Sequence, residues 1–161
     1  MKKFIFIAML LLLSISMSAQ DNSAYLNYEG SVSTHMYLDR PSTLDNSSGI
    51  ALHTSHGVRL LKDILYVGGS VEYVQEQYKS ITYAAHVKCS YPIHTSVGAF
   101  VGFEIGSRTY LSTMNSDFIM VPAAGIRFRL SHSKALELSA RAVFDMYHST
   151  PIFGFGIGFC F

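Results

Sequence analysis

The run His53-Thr54-Ser55-His56-Gly57 is the part of this chain whose residue types could do chemistry. A serine hydroxyl becomes a nucleophile when a histidine stands beside it as base. On an extended strand, residues two apart share a face. His53 and Ser55 therefore form one candidate pair, while Thr54 and His56 fall on the opposite face. The chemistry open to such a cluster is acyl hydrolysis or acyl transfer. Gly57 is where a bulge could re-aim the segment. The remaining histidines, His35, His86, His94, His132 and His148, are scattered along the chain. No HxxxH or HExxH spacing falls on a helical pattern, so no metal site is expected. No cofactor is expected either. Cys89 and Cys160 fall on opposite faces of non-neighbouring segments, and both are expected to be free thiols.

The surrounding chain decides which of these side chains could meet. It has 161 residues, 49% apolar and 14% charged, with a net charge of +1. The usual charged share is about 25%. A nucleic-acid binder working through a basic patch is excluded by that balance, as is a charge-rich disordered chain. Lys2 and Lys3, the apolar run Phe4 to Leu13 and the small residues up to Ala19 have the layout of a secretory signal peptide. Residues 1–19 are expected to be that signal, removed on export through the Sec pathway, and 20–161 a single domain. Two cysteines in an exported chain leave a fold that does not depend on disulfides.

Beyond the signal, no apolar run approaches the length of a spanning helix. What recurs, eight times, is alternation with period two. In the last segment Phe153, Phe155, Ile157, Phe159 and Phe161 share one face, opposite Gly154, Gly156, Gly158 and Cys160. In the segment before it, Leu136, Leu138, Ala140, Ala142 and Phe144 oppose Glu137, Ser139, Arg141 and Asp145. Such alternation over segments of about ten residues predicts an all-β, eight-stranded antiparallel up-and-down transmembrane β-barrel, apolar outside and polar within. A soluble sandwich would reverse the faces, and eight strands leave no material for a second layer.

The predicted interior then holds Glu29, Glu72, Glu104, Glu137 and Asp145 opposite Arg59, Lys88, Arg127, Arg129 and Arg141. Buried charges persist when paired, and eight strands enclose a lumen that side chains can fill. The expectation is a salt-bridged plug, with Gly154, Gly156 and Gly158 leaving room for long neighbours. Parity places His53 and Ser55 inside that lumen. Aromatics are expected in girdles at the strand ends: Tyr28, Tyr91, Phe128, Phe159 and Phe161 at one end, Tyr37, Tyr73, Tyr83, Phe118 and Phe153 at the other. Short connections are expected at Lys62-Asp63, Tyr91 to Thr95 and Ser131 to Ser133. Longer ones alternate with them at Asp39 to Ser48, Gln75 to Ser80 and Ser107 to Asp117, followed by a short His148 to Pro151.

Ser18-Ala19-Gln20, Thr54-Ser55-His56-Gly57-Val58-Arg59 leading into Tyr66-Val67-Gly68-Gly69, and the Gly154-Phe155-Gly156 repeat ending in Phe161 carry a likeness. On these residues the chain resembles the small outer-membrane β-barrel proteins of Bacteroidota-type bacteria, within the OmpA/OmpX-like eight-stranded group. The resemblance implies residence in the outer membrane of a Gram-negative bacterium, with its lipid as one partner. It implies the barrel assembly machinery as another, reading Phe159 and Phe161 as an assembly signal. It supplies no catalytic set. The role we expect of the chain is structural or interactive, through extracellular loops that could hold a ligand, and not enzymatic. Two alternatives stand beside that. One is a lipid A or phospholipid-modifying enzyme using Ser55, His53 and His56, since some barrels of this size use His and Ser two apart on the outer face. The other is an OmpW-like passage for small apolar molecules.

Overall fold

A strand surrounded by lipid must find all its hydrogen-bond partners within the protein. A sheet achieves this without an exposed edge only by closing on itself. The computed structural model of this chain describes residues 27–38, 49–61, 64–75, 79–131, 133–146 and 151–161, and these form such a closed sheet. The strands are β1 (Asn27–Tyr37), β2 (Gly49–Leu60), β3 (Leu65–Gln75), β4 (Ser80–His94), β5 (Val97–Tyr110), β6 (Ser116–Arg129), β7 (Ala135–Asp145) and β8 (Ile152–Cys160). Each pairs antiparallel with its sequence neighbour, and β1 pairs with β8 to complete the ring. The expected eight-stranded antiparallel barrel is therefore the fold, and no helix occurs among the described residues. The expected signal at 1–19, most of the connections at 39–48 and 76–78, the pair Lys62-Asp63, His132 and His148 lie outside the described residues.

The two faces are sorted as the alternation requires. Every Asp, Glu, Lys and Arg of the eight strands falls on the inward parity, and the outward parity carries Leu52, Val71, Tyr83, Val101, Phe103, Ile126, Phe144, Phe155 and Ile157, all exposed. In water this surface would be a continuous greasy patch far larger than a monomer tolerates. Facing acyl chains, it is the surface of lowest free energy.

Four local expectations are corrected. Ser107 to Asp117 is not a loop: β5 runs on to Tyr110, β6 begins at Ser116, and only 111–115 connect them. The cause is parity, since Arg108 and Tyr110 continue the inward series of Glu104, and Arg108 sits directly across from Asp117. Tyr91 to Thr95 is likewise mostly strand, with the turn confined to Thr95 and Ser96. Gly57 makes no bulge, because the registers of β2 with β1 and with β3 run through it unbroken. It is instead a place of close approach: a Cβ there would lie 2.6 Å from Gly68 Cα and 2.9 Å from the Tyr66 ring, which crosses both glycines. Tyr37 belongs to no girdle. It shares the inward parity of Glu29 and His35 and is 1% exposed.

The other girdle aromatics do stand on the outward parity. Phe161 closes the seam between first and last strands twice over. Its backbone exchanges two hydrogen bonds of 2.9 Å with Gly30, and its ring covers the face where Gly30 has no side chain. Pro122 faces out from mid-strand, and the β6–β7 register is interrupted between Met120 and Ala123, where its missing N–H removes a ladder bond.

The glycines of β8 make room for β1, as expected of them. A Cβ on Gly154 would lie 2.7 Å from the Tyr37 ring, one on Gly158 would lie 2.8 Å from Ser33, and one on Gly156 would overlap the His35 imidazole. Gly69 differs, with only Ala84 O within reach at 3.7 Å. Gly156→Val should therefore abolish most folding into the barrel, while Gly69→Ala should leave it intact. The readout is the fraction of refolded protein whose gel migration changes on boiling.

Candidate functional site

Inside the ring, the side chains of the inward parity form two charged tiers. The tier near the end where β1 begins and β8 finishes is built on Glu29. Arg59 grips its carboxylate through Nε and, at 2.9 Å, through Nη2. Arg127 donates to it at 2.7 and 3.1 Å, and Lys88 Nζ lies 3.5 Å away. Arg127 and Lys88 also donate to Glu137, at 3.0 and 2.8 Å. The Lys88 ammonium sits 5.3 Å from the centre of the Tyr66 ring and 5.2 Å from that of Phe100. Two carboxylates thus hold three cations, and the surplus positive charge leans on aromatic faces.

The second tier is built on Arg141. Its Nη1 donates to Glu72 at 2.7 Å and to His35 Nδ1 at 3.1 Å, and its Nη2 donates to Glu104 at 3.1 Å. Tyr37 Oη donates to both oxygens of Glu72, at 2.9 and 3.1 Å. Arg108 lies 3.8 Å from Glu72 and donates to Thr82 at 3.4 Å. Beyond this tier, Tyr37, Ala51, Val74, Ile119, Val121 and Val143 close the lumen with a small apolar core. Between the tiers, His35, His53, His86, Glu104 and Arg141 line a cavity of about 40 Å³, room for no more than one or a few waters.

Of the expected network, Glu29, Arg59, Glu72, Lys88, Glu104, Arg127, Glu137 and Arg141 are brought together as ion pairs. Asp145 is buried on the inward face. Arg129 is a correction: it has the inward parity but stands exposed at the last position of β6, where the lumen opens to solvent, and joins no ion pair among the described residues. Arg108, Asp117, Tyr37 and Thr82 are buried members that sequence reasoning placed elsewhere or did not single out. Parity was the available signal for all four, and each lies at a strand end where polar residues imitate a loop.

The serine–histidine pair does not assemble. Ser55 and His53 both face the lumen as expected, but Ser55 Oγ is bonded to Ser31 Oγ at 2.8 Å and His53 Nδ1 to Ser33 Oγ at 3.3 Å. The residues that do meet on the outer wall are Thr54, His56 and Tyr28. His56 Nε2 lies 3.1 Å from Thr54 Oγ1, His56 Nδ1 lies 2.5 Å from Tyr28 Oη, and Thr54 Oγ1 donates to Ser31 O at 3.1 Å. This has the outline of a nucleophile, a base and an orienting group. The proton directions oppose that role. With the Thr54 proton committed to the carbonyl and the Tyr28 proton given to Nδ1, Nε2 carries the remaining proton and donates to Thr54. Every donor is satisfied, and no lone pair is left to take a proton from the hydroxyl.

No family model matches this chain, and no curated protein sequence matches it. Solved structures do. The Neisserial surface protein A superposes with a TM-score of 0.63 at 11% identity, over 88% of this chain and 98% of that one. The N-terminal β-barrel domain of Pseudomonas aeruginosa OprF gives 0.60 at 10% identity, over 87% and 100%. The outer membrane enzyme PagL gives 0.55 at 13%, over 81% and 97%. The fold is that of the outer-membrane β-barrels. At these identities the likeness concerns backbone architecture, and the lumen of this barrel has to be understood from its own residues.

The two tiers differ from the surface in what they contribute to stability. Arg141 lies between Glu72 and Glu104 at hydrogen-bonding distance from both. Removing one partner of a buried ion pair typically costs about 3–5 kcal/mol. Arg141→Leu should lower unfolding free energy by about that much in urea titrations of the refolded barrel, whereas Arg129→Ala should leave the midpoint unchanged.

Proposed function

We propose that this chain is an integral protein of a Gram-negative outer membrane. In this reading it reaches the membrane by Sec export, spans it as a closed wall, and presents the connections at the end opposite the start of β1 to the cell exterior. One observation carries the reading: a ring of exposed apolar side chains encloses a lumen occupied by paired charges. A lipid-facing belt fits an element meant to stay in the membrane. A filled lumen fits one that holds its position and displays its loops more than one that passes solutes. Phe159 and Phe161, on the outward face of the closing strand, are the residues we assign to recognition by the assembly machinery. Of the outward connections, 111–115 offers Leu111 and Met114, both exposed, as apolar contacts for a partner. The reading assigns no acyl chemistry to His53, Ser55 and His56.

The orientation can be tested with single cysteines. Thr113→Cys, at the tip of the β5–β6 connection, should react with a membrane-impermeant maleimide on intact cells. Thr95→Cys, in the turn at the opposite end, should react only after the membrane is opened. The reverse pattern would overturn the orientation. For the filled lumen, planar bilayers containing the refolded barrel should show no steady unitary conductance. A reproducible open level would contradict a wall-and-display role.

A further inference from the structure

We propose that His53, His86 and Glu104 form a binding site for one divalent transition-metal ion in the centre of the lumen. The three ligand atoms come from β2, β4 and β5 and lie within 4.8 Å of one another. Glu104 Oε1 is 3.2 Å from His53 Nε2 and 3.9 Å from His86 Nδ1. In a four-coordinate site with bonds of 2.0–2.1 Å, neighbouring ligand atoms stand about 3.3 Å apart. The observed spacings bracket that value.

His53 Nε2 and His86 Nδ1 are both buried and neither makes a well-aligned hydrogen bond, although they face the same carboxylate oxygen at 3.2 and 3.9 Å. A buried polar atom without a partner is costly. Two of them aimed at one point, beside a carboxylate, call for a cation that accepts both lone pairs. The residues themselves are 4%, 8% and 4% exposed for His53, His86 and Glu104, so bulk water does not serve them.

The surroundings hold the ligands as a metal site requires. Ser33 Oγ, 3.3 Å from His53 Nδ1, can accept its proton and leave Nε2 as the free lone pair. Glu104 is fixed through its other oxygen: Arg141 Nη2 and Ser70 Oγ donate to Oε2 at 3.1 and 3.2 Å, leaving Oε1 turned toward the imidazoles. Such outer partners set ligand orientation and basicity. The strand between β2 and β4 is small at this height. Gly68 lies directly across from His86, and Ser70 follows on the same face, so the two imidazoles reach over β3. The cavity of about 40 Å³ adjoining them leaves room for a water as fourth ligand.

Two imidazoles and one carboxylate suit zinc and its neighbours in the first transition row, and are a poor set for calcium or magnesium. The other cluster of comparable tightness, Glu29, Glu137 and Cys160, differs in kind. Both oxygens of Glu29 and of Glu137 already accept from Arg59, Lys88 or Arg127, whereas Arg141 takes only Oε2 of Glu104 and leaves Oε1 to the two imidazoles. An ion on His53, His86 and Glu104 would tie three strands together across the lumen.

The experiment uses the complete barrel, refolded in metal-free detergent micelles and titrated with Co²⁺, then with Zn²⁺. The expected result is one Co²⁺ per barrel with the visible absorption of a four- or five-coordinate ion, displaced by Zn²⁺. His53→Gln and His86→Gln should each weaken binding tenfold or more, while His94→Gln, at the exposed end of β4, should bind like the parent. Ser33→Ala should weaken it by about ten- to a hundredfold. Should a ligand variant fail to fold, the parent still decides: refolded with Zn²⁺, it should unfold at a higher urea midpoint than the metal-free protein. A folded parent that takes up no Co²⁺ would overturn the site. So would binding that survives in His86→Gln and disappears in His94→Gln.

Discussion

The seam between β1 and β8 is the constraint on which the rest of this molecule depends. Seven register pairs, from Ser31 with Cys160 to Tyr37 with Gly154, and the reciprocal bonds of Gly30 with Phe161 join the two ends of the sheet. Without them the sheet would carry two open edges in a medium that offers no hydrogen bonds. With them every strand has two neighbours, and the chain can afford an apolar exterior. Closure also fixes the bore. Eight strands leave a lumen about as wide as the side chains that must fill it, so what points inward has to fit and has to be paired.

Packing and electrostatics are coupled by that narrow bore. The long side chains that reach across it can do so only where the opposite wall is bare. His35 and Tyr37 lie over Gly156 and Gly154, and the Tyr66 ring lies over Gly57 and Gly68. The same economy sets the order of the layers. A Glu29 tier with surplus cations is followed by a histidine-rich middle, then by the Arg141 tier and the small apolar core around Val74 and Val143. Paired in this way, the interior charge contributes more to a single arrangement of side chains than to net stability, since buried ion pairs gain little over apolar packing of equal volume.

The architecture was legible because one signal, alternation with period two, is imposed by lipid outside and charge inside at the same time. Phe153 to Phe161 and Leu136 to Asp145 needed nothing more. Misreadings gathered where that double pressure fades. At Ser107-Arg108-Thr109 the outward residues are polar and look like a loop, yet Arg108 keeps the inward phase. Tyr37 looked like a rim aromatic because it is near a strand end, although its parity matches Glu29. Arg129 kept the phase but ran out of lumen. The meeting of His53, His86 and Glu104 has no signature in sequence spacing, because it depends on the stagger of β2, β4 and β5 and on small residues in β3 between them. The outer relay of Tyr28, Thr54 and His56 was half visible, as the outward half of the His53–Gly57 run, and its proton directions required the registers of β1 and β2.

The most direct measurement of the closed, inverted barrel is amide hydrogen exchange with cross-strand nuclear Overhauser contacts, recorded on the protein in lipid nanodiscs. The account predicts that the strand amides of β1 and β8, Val32, Thr34, Ile157 and Phe159 among them, exchange as slowly as those of β4. It also predicts backbone contacts linking Thr34 with Ile157 and Gly30 with Phe161. Fast exchange along β1 and β8, with no contact between them, would mean an open sheet and would contradict the account.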